Sequence, residues 1–280
     1  MEFLKTFLLI ALIFIPLERI LTLRPEQKML RRNWLNDLVF WVANSQIIGL
    51  SLASIVSLTV IGSGWLIGDS VHAAVASQPA WLQFIEALLL ADLGFYLAHR
   101  AFHAFPWLWK FHAVHHSIEE LDWLAAARVH PVDQIITKGV SFLPVFVLGF
   151  SDIVIGAFMT LYAWQSVLVH SNVKLKLGPL RWLLASPEFH HWHHSKDQQA
   201  RDRNFAGQLP ILDVVFGTLH MPAGERPTAY GLDKPMPQNY VLQLAYPFRD
   251  TANLDNPAES PSGAATPHAG AGAATNQVSA

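Results

Sequence analysis

From Leu38 to Gly68 the chain carries no charged residue. A run of that length exceeds what an α-helix needs to cross the hydrocarbon core of a bilayer, which is about 20 residues. The rest of the composition agrees: 52% of residues are apolar and 14% charged, an unusual balance for a water-soluble chain of this size. Phe3 to Leu23 also reaches spanning length if Lys5, Glu18 and Arg19 lie near the interfaces. A cleaved signal peptide is the competing reading there, but no small-x-small cleavage site follows and a basic stretch does.

Two further apolar stretches complete the pattern. Trp81 to His99 is interrupted by Glu86 and Asp92, and Gly139 to Val173 has Asp152 as its one formal charge, within the turn-like GFSD of residues 149–152. The latter reads as a helical hairpin whose arms are partly re-entrant. The expected fold class is therefore all-α, an integral membrane helical bundle of about four to five segments carrying a cytosolic, histidine-rich helical cap. Residues 1–80 would hold the N-terminal spans, residues 81–248 a catalytic region, and residues 249–280, rich in Ala, Gly, Ser, Pro and Thr, a disordered tail. Orientation follows from Arg19, Arg24, Lys28, Arg31 and Arg32, which crowd the first connection, whereas residues 69–80 contain no lysine or arginine. The first connection is thus expected to be cytoplasmic, which brings His99, His103 and His170 to that same side.

Eleven of the fourteen histidines lie between His99 and His194. They cluster as HRAFH (His99, His103), FHAVHHS (His112, His115, His116) and EFHHWHHS (His190, His191, His193, His194), with His130 and His170 between. Neutral imidazole is the commonest protein metal ligand, and residues three and four apart share a helical face. Within FHAVHHS, His112 can pair with both His115 and His116, which diverge by about 100° around the axis, so one triplet can serve two metals. Ser186-Pro187 ahead of the last cluster looks like an N-cap and first helical position. His170 is a candidate ligand at the mouth of an apolar segment. His130 is either a ligand or a hydrogen bonder at a helix terminus, and His191 is an additional ring. Asp92 lies on the stripe of His99 and is a candidate acceptor for an imidazole N–H, or else an interfacial charge paired with a cation. His72, His220 and His268 fall outside the pattern.

The chain has no cysteine, so metal must be held by nitrogen and oxygen and no iron–sulfur cluster can form. About ten imidazoles exceed the capacity of one ion, which implies two. Zinc would need fewer rings, and the hydrolytic HExxH is absent; a haem would use one or two. Iron accepts imidazole and can keep positions open for dioxygen. A zinc-dependent membrane hydrolase and a metal-binding or metal-transporting membrane protein remain the alternatives. A formal charge of −2 excludes the broad basic footprint of a nucleic-acid binder.

HRAFH with an aspartate seven residues ahead, PWLWKFHAVHHS, RVHP, HSNVKL, and PEFHHWHHS followed by NFAGQLPILDVVFGT resemble, in order, the serial motifs of the integral-membrane fatty acid hydroxylase/sterol desaturase superfamily, over about Leu82 to Met221. The resemblance implies a non-haem di-iron oxygenase that uses O2 to hydroxylate or desaturate C–H bonds of a lipid or sterol-like substrate. It implies His99, His103, His112, His115, His116, His170, His190, His193 and His194 as metal ligands, with His130 and His191 as further motif members. The sequence departs from the pattern at Leu212, where relatives commonly show Trp, and at Asp133, where Glu is usual.

Electrons must come from a separate protein, a ferredoxin, rubredoxin, cytochrome or reductase, because there is neither a GxGxxG loop nor a cysteine. Lys110, Arg128, Lys174, Lys176, Arg181, Arg201 and Arg203 form a candidate dock for an acidic donor, or else face lipid headgroups. Trp107, Trp109, Trp123, Trp164 and Trp192 are candidates to line a substrate tunnel opening from the bilayer, or else pack and anchor at the interface.

Overall fold

The computed structural model describes residues 2–249; the expected disordered tail from residue 250 onward and His268 lie outside the described residues. The described chain is all-helical and contains no strand, only isolated bridges such as Thr22 with Val173. In order, the helices are α1 (Glu2–Ile20), α2 (Trp34–Leu66), α3 (Asp69–Ala76), α4 (Ala80–Ala104), α5 (Pro106–His116), α6 (Pro131–Val147), α7 (Asp152–His170), α8 (Pro187–His193), α9 (Ile211–Val215) and α10 (Tyr240–Ala245).

Among the described residues, α4 and α7 are long and apolar enough to cross a membrane. The uncharged stretch after Asp37 lies within α2 as far as Leu66, and this helix of 33 residues is about 50 Å long. The apolar run from Gly139 folds as a hairpin, with α6 and α7 joined through Gly149 at φ +73°, a backbone conformation that favours glycine. Ser151 N–H donates to Gln83 Oε1 at 3.0 Å and ties this turn to α4.

Close packing of α4 on α6 sets the frame for the site. A Cβ on Gly94 would fall 2.7 Å from the Val140 carbonyl oxygen, so only glycine permits this approach. One turn away Ser141 Oγ donates to the Ala91 oxygen at 2.6 Å. Ala87, Ala91, Phe142, Val145 and Phe158 then fill the interior between α4, α6 and α7. At the other end a second core of Tyr96, Phe189, Trp192 and Phe205 binds α4 to the segment that follows α7.

A buried ionic cluster fastens α2 to the loop before α6. Arg31 Nη2 bonds Asp37 at 2.5 Å and Asp122 at 2.7 Å, and Arg128 Nε bonds the other oxygen of Asp37. Arg128 is 1% exposed, so it is withdrawn from the set of cations expected to meet a donor protein.

Candidate metal centre

Four helix ends deliver the histidines. The last turns of α4 carry His99 and His103, one turn apart on one face. Phe105 alone separates α4 from α5, and Pro106 at the first position of α5 lets the chain reverse there. α5 turns His112, His115 and His116 inward, all buried. His170 closes α7. α8 begins at Pro187 with Ser186 at its N-cap position, although the serine hydroxyl makes no capping bond, and it supplies His190, His193 and the flanking His194.

These nine rings gather into two buried groups. His99, His103, His112, His116 and His193 form one; His115, His170, His190 and His194 form the other; within each, the potential ligand atoms lie within 4.8 Å of one another. The two short helices are shared: α5 gives His112 and His116 to the first group and His115 to the second, while α8 gives His193 to the first and His190 to the second.

The hydrogen bonds fix which nitrogen faces inward. His99 Nδ1 donates to the Phe205 carbonyl at 2.8 Å, His193 Nδ1 to Arg203 at 2.8 Å, His115 Nδ1 to Arg128 at 2.9 Å and His170 Nδ1 to Ser166 at 2.6 Å. A carbonyl oxygen can only accept, so Nδ1 carries the hydrogen and Nε2 an exposed lone pair. His112 and His103 use carboxylates instead, Asp133 at 2.7 Å and Asp202 at 3.0 Å. The inward Nε2 atoms then approach one another closely: His99 to His112 at 3.0 Å, and His115 to His170 at 3.1 Å. Two lone pairs at that distance repel unless a cation lies between them.

Burial, reinforced by neighbouring imidazoles, pushes the pKa values of His115, His116, His190, His193 and His194 well below the ordinary imidazole value. Neutral rings are the form that binds metal. His103 Nε2 and His194 Nδ1 are buried without a partner. An all-nitrogen donor set, held neutral and aimed inward, fits a pair of borderline metal ions such as iron.

The family model for fatty acid hydroxylases matches residues 84–218, which include all nine rings. Over these residues the chain is similar to the fatty acid hydroxylase family. The ornithine lipid hydroxylase of Rhizobium tropici is 33% identical over 170 residues, covering 61% of this chain and 51% of that protein. Human alkylglycerol monooxygenase is 33% identical over 151 residues, covering 54% and 33% respectively. A very-long-chain aldehyde decarbonylase of Oryza sativa subsp. indica is 27% identical over 154 residues, 50% of this chain and 24% of that protein. The chain thus spans about half, or less, of each of these relatives. No solved structure matches it.

Three residues singled out beside the nine stand elsewhere in the fold. His130 lies in neither group: it caps α6, its Nδ1 accepting from Val132 N–H at 3.1 Å and its Nε2 facing the Leu244 oxygen at 3.2 Å. The helix-terminus reading is the one the geometry supports. His191 points away from both groups, with Nδ1 2.9 Å from the Tyr230 hydroxyl and Nε2 buried without a partner.

Asp92 is corrected: among the described residues it meets no imidazole and pairs with no cation. Its carboxylate accepts from the main-chain N–H groups of Gly207, Gln208 and Leu209 at 2.7–2.9 Å. Asp213 does the same for Phe205 and Ala206, both at 2.8 Å. Together they fold the loop whose Phe205 oxygen orients His99, so Asp92 acts on the site through that backbone.

An elongated cavity of about 440 Å³ meets the rings from the apolar side. His99, His112, His115, His170 and His190 line one end, and Phe142, Met159 and Gly49 line it deeper among α2, α6 and α7. From His170 to Met159 the axial rise along α7 is about 16 Å, enough for a stretch of alkyl chain. The five tryptophans expected here do not line it. Trp164 stacks on Phe14, Trp123 packs on Phe7 and Trp41, Trp192 is in the core with Phe189, Trp109 packs against His103 and His116, and Trp107 is exposed. Trp41 is the tryptophan that does.

Proposed function

We propose that this chain is a multi-pass membrane enzyme, a non-haem di-iron oxygenase that uses O2 and electrons from a separate donor protein to hydroxylate, or desaturate, a C–H bond of a lipid or sterol-like substrate. The observation that carries this reading is the pair of imidazole groups, with unprotonated nitrogens facing inward, at one end of an apolar cavity. The bacterial and human relatives, a lipid hydroxylase and an alkylglycerol monooxygenase, point to the same substrate class.

Iron bound by His99, His103, His112, His116 and His193, and by His115, His170, His190 and His194, would supply dioxygen reduction and the removal of hydrogen from carbon. What the chain's own residues do is hold and exclude. Carbonyl and carboxylate partners on Nδ1 lock the tautomer and direction of His99, His103, His112, His115, His170 and His193. Phe142, Met159 and their neighbours keep water from a hydrocarbon chain and aim one of its carbons at the rings.

Residues 81–248 would form the catalytic region, with α1, α2, α4 and the α6–α7 hairpin in the bilayer. Arg24 of the basic first connection reaches the Tyr230 hydroxyl, which meets His191 beside the groups, and this supports a cytoplasmic side for both groups by the distribution of basic residues. Of the cations suited to an acidic donor, Arg181 is engaged by Glu188 at 2.9 Å and Arg201 by Asp233 at 2.5 Å, so Lys174 and Lys176 are better placed to receive one.

The test is anaerobic purification in detergent, loading with ferrous iron, metal counting per chain and Mössbauer spectroscopy before and after oxygen. Two irons per chain that oxidise with oxygen are expected, followed by a hydroxylated or desaturated lipid product. Zinc alone, with no affinity for iron and no response to oxygen, would overturn the reading and favour a hydrolase or a metal-handling protein.

A further inference from the structure

Lys138 is the one lysine or arginine among the described residues that lines the cavity. It sits mid-way along α6, about 10 Å of axial rise beyond Pro131, rather than at a helix end where a lysine can reach the interface. No hydrogen bond or ion pair engages its ammonium among the described residues. The nearby carboxylate of Asp133 is already occupied by His112 and by Thr137 Oγ1 at 3.0 Å.

One turn earlier on the same face, Gln134 also lines the cavity, and its Oε1 is buried without a partner. An apolar cavity holding an unpaired cation and an unpaired amide oxygen is costly unless a ligand satisfies both.

We propose that Lys138 and Gln134 form the polar subsite of the lipid cavity, binding an amide or hydroxyl group carried on the substrate chain. The ammonium has donors only, and Gln134 Oε1 can only accept. A bare hydrocarbon leaves both unpaired, and an ester or ether satisfies Lys138 alone. A group that accepts from Lys138 and donates to Gln134 satisfies the pair. The rise from Asp133 to Lys138 is about 7.5 Å, so this group is held away from the rings and the reacting carbon lies several atoms along the chain from it. The inference rests on the cavity being the substrate site of the proposed oxygenase.

The test is equilibrium binding of four radiolabelled probes of equal chain length to the full chain in detergent: N-methylpalmitamide, palmityl alcohol, methyl palmitate and hexadecane. The unmodified protein is expected to bind the amide and alcohol about tenfold tighter than the ester, and the ester about tenfold tighter than the hydrocarbon, one hydrogen bond each. Lys138→Met should bring all polar probes towards hexadecane, Gln134→Leu should remove only the advantage of amide and alcohol over ester, and Lys138→Arg should keep the ranking. Hexadecane should bind the three variants no more weakly than the unmodified protein, a result that a merely structural lysine would not give.

An unchanged ranking in Lys138→Met and Gln134→Leu, with hexadecane still bound and displaced by Ala163→Phe in the cavity wall, would overturn the subsite and leave the cavity reading intact. If no hydrocarbon binds to the unmodified protein, both fall.

Discussion

His115 donates its Nδ1 hydrogen to the main-chain oxygen of Arg128 at 2.9 Å, and the side chain of that same arginine is clamped by Asp37 of α2. The direction of one imidazole in the second group therefore depends on a carboxylate at the start of a helix that contributes no ring. Asp37 is 0% exposed and divides its two oxygens between Arg31 and Arg128.

Asp37→Asn should leave Arg128 buried without a carboxylate, a loss on the order of 3–5 kcal/mol. Arg31 would keep Asp122. A fall in Tm together with weaker metal retention is expected, read by thermal unfolding and metal analysis on one preparation. Unchanged Tm would show that Asp37 is not what holds this corner.

Asp133→Asn tests the other kind of anchor. The backbone stays intact, but His112 loses the charge that fixes its tautomer, and metal affinity should drop roughly 10–100-fold. A chelator competition titration measures this directly, with circular dichroism unchanged.

The histidines of EFHHWHHS divide sharply by position. His190→Asn should reduce bound metal below two ions per chain, because its Nε2 lies 2.9 Å from that of His170. His191→Asn and His130→Asn should retain the full complement, since neither ring faces a group. Metal loss in His191→Asn equal to that in His190→Asn would contradict the division.

Stability of the metal-free chain should depend on pH in a definite direction. Folding lowers the pKa values of His115, His116, His190, His193 and His194 below the ordinary value of 6.5. Below about pH 6.5 the unfolded chain therefore binds more protons than the folded one, and stability falls as pH falls through that value. Above it these rings contribute no slope. Tm of iron-free protein measured from about pH 8 to pH 5 should be flat and then decline; a Tm that rises on acidification would reverse the assignment of neutral rings.

Much of the site was legible because helical spacing is local. His99 with His103, and His112 with His116, share a face by the i, i+4 rule, and the α5 triplet divides between two groups as its angular spread suggests. The apolar runs of α4 and α7 were legible in the same way. What spacing cannot carry is the partner of each Nδ1, because the carbonyls of Phe205, Arg203, Ser166 and Arg128 have no side-chain signature. Asp92 was misread for a related reason: its partners are main-chain N–H groups beyond residue 206, and no pattern near Asp92 announces them. Arg128 looked like a surface cation because Asp37, 91 residues away, is what draws it inside. The tryptophans are large enough to line a tunnel, but Trp123 and Trp164 are taken into the packing by Phe7, Trp41 and Phe14, and Trp192 by the core around Phe189.

Since α5 and α8 each serve both groups, their lengths act as an address code. Insertion or deletion of one residue in either helix turns every later ring by about 100° and hands it to the wrong set. These two short helices therefore admit no change of length, and the two groups can only be inherited together.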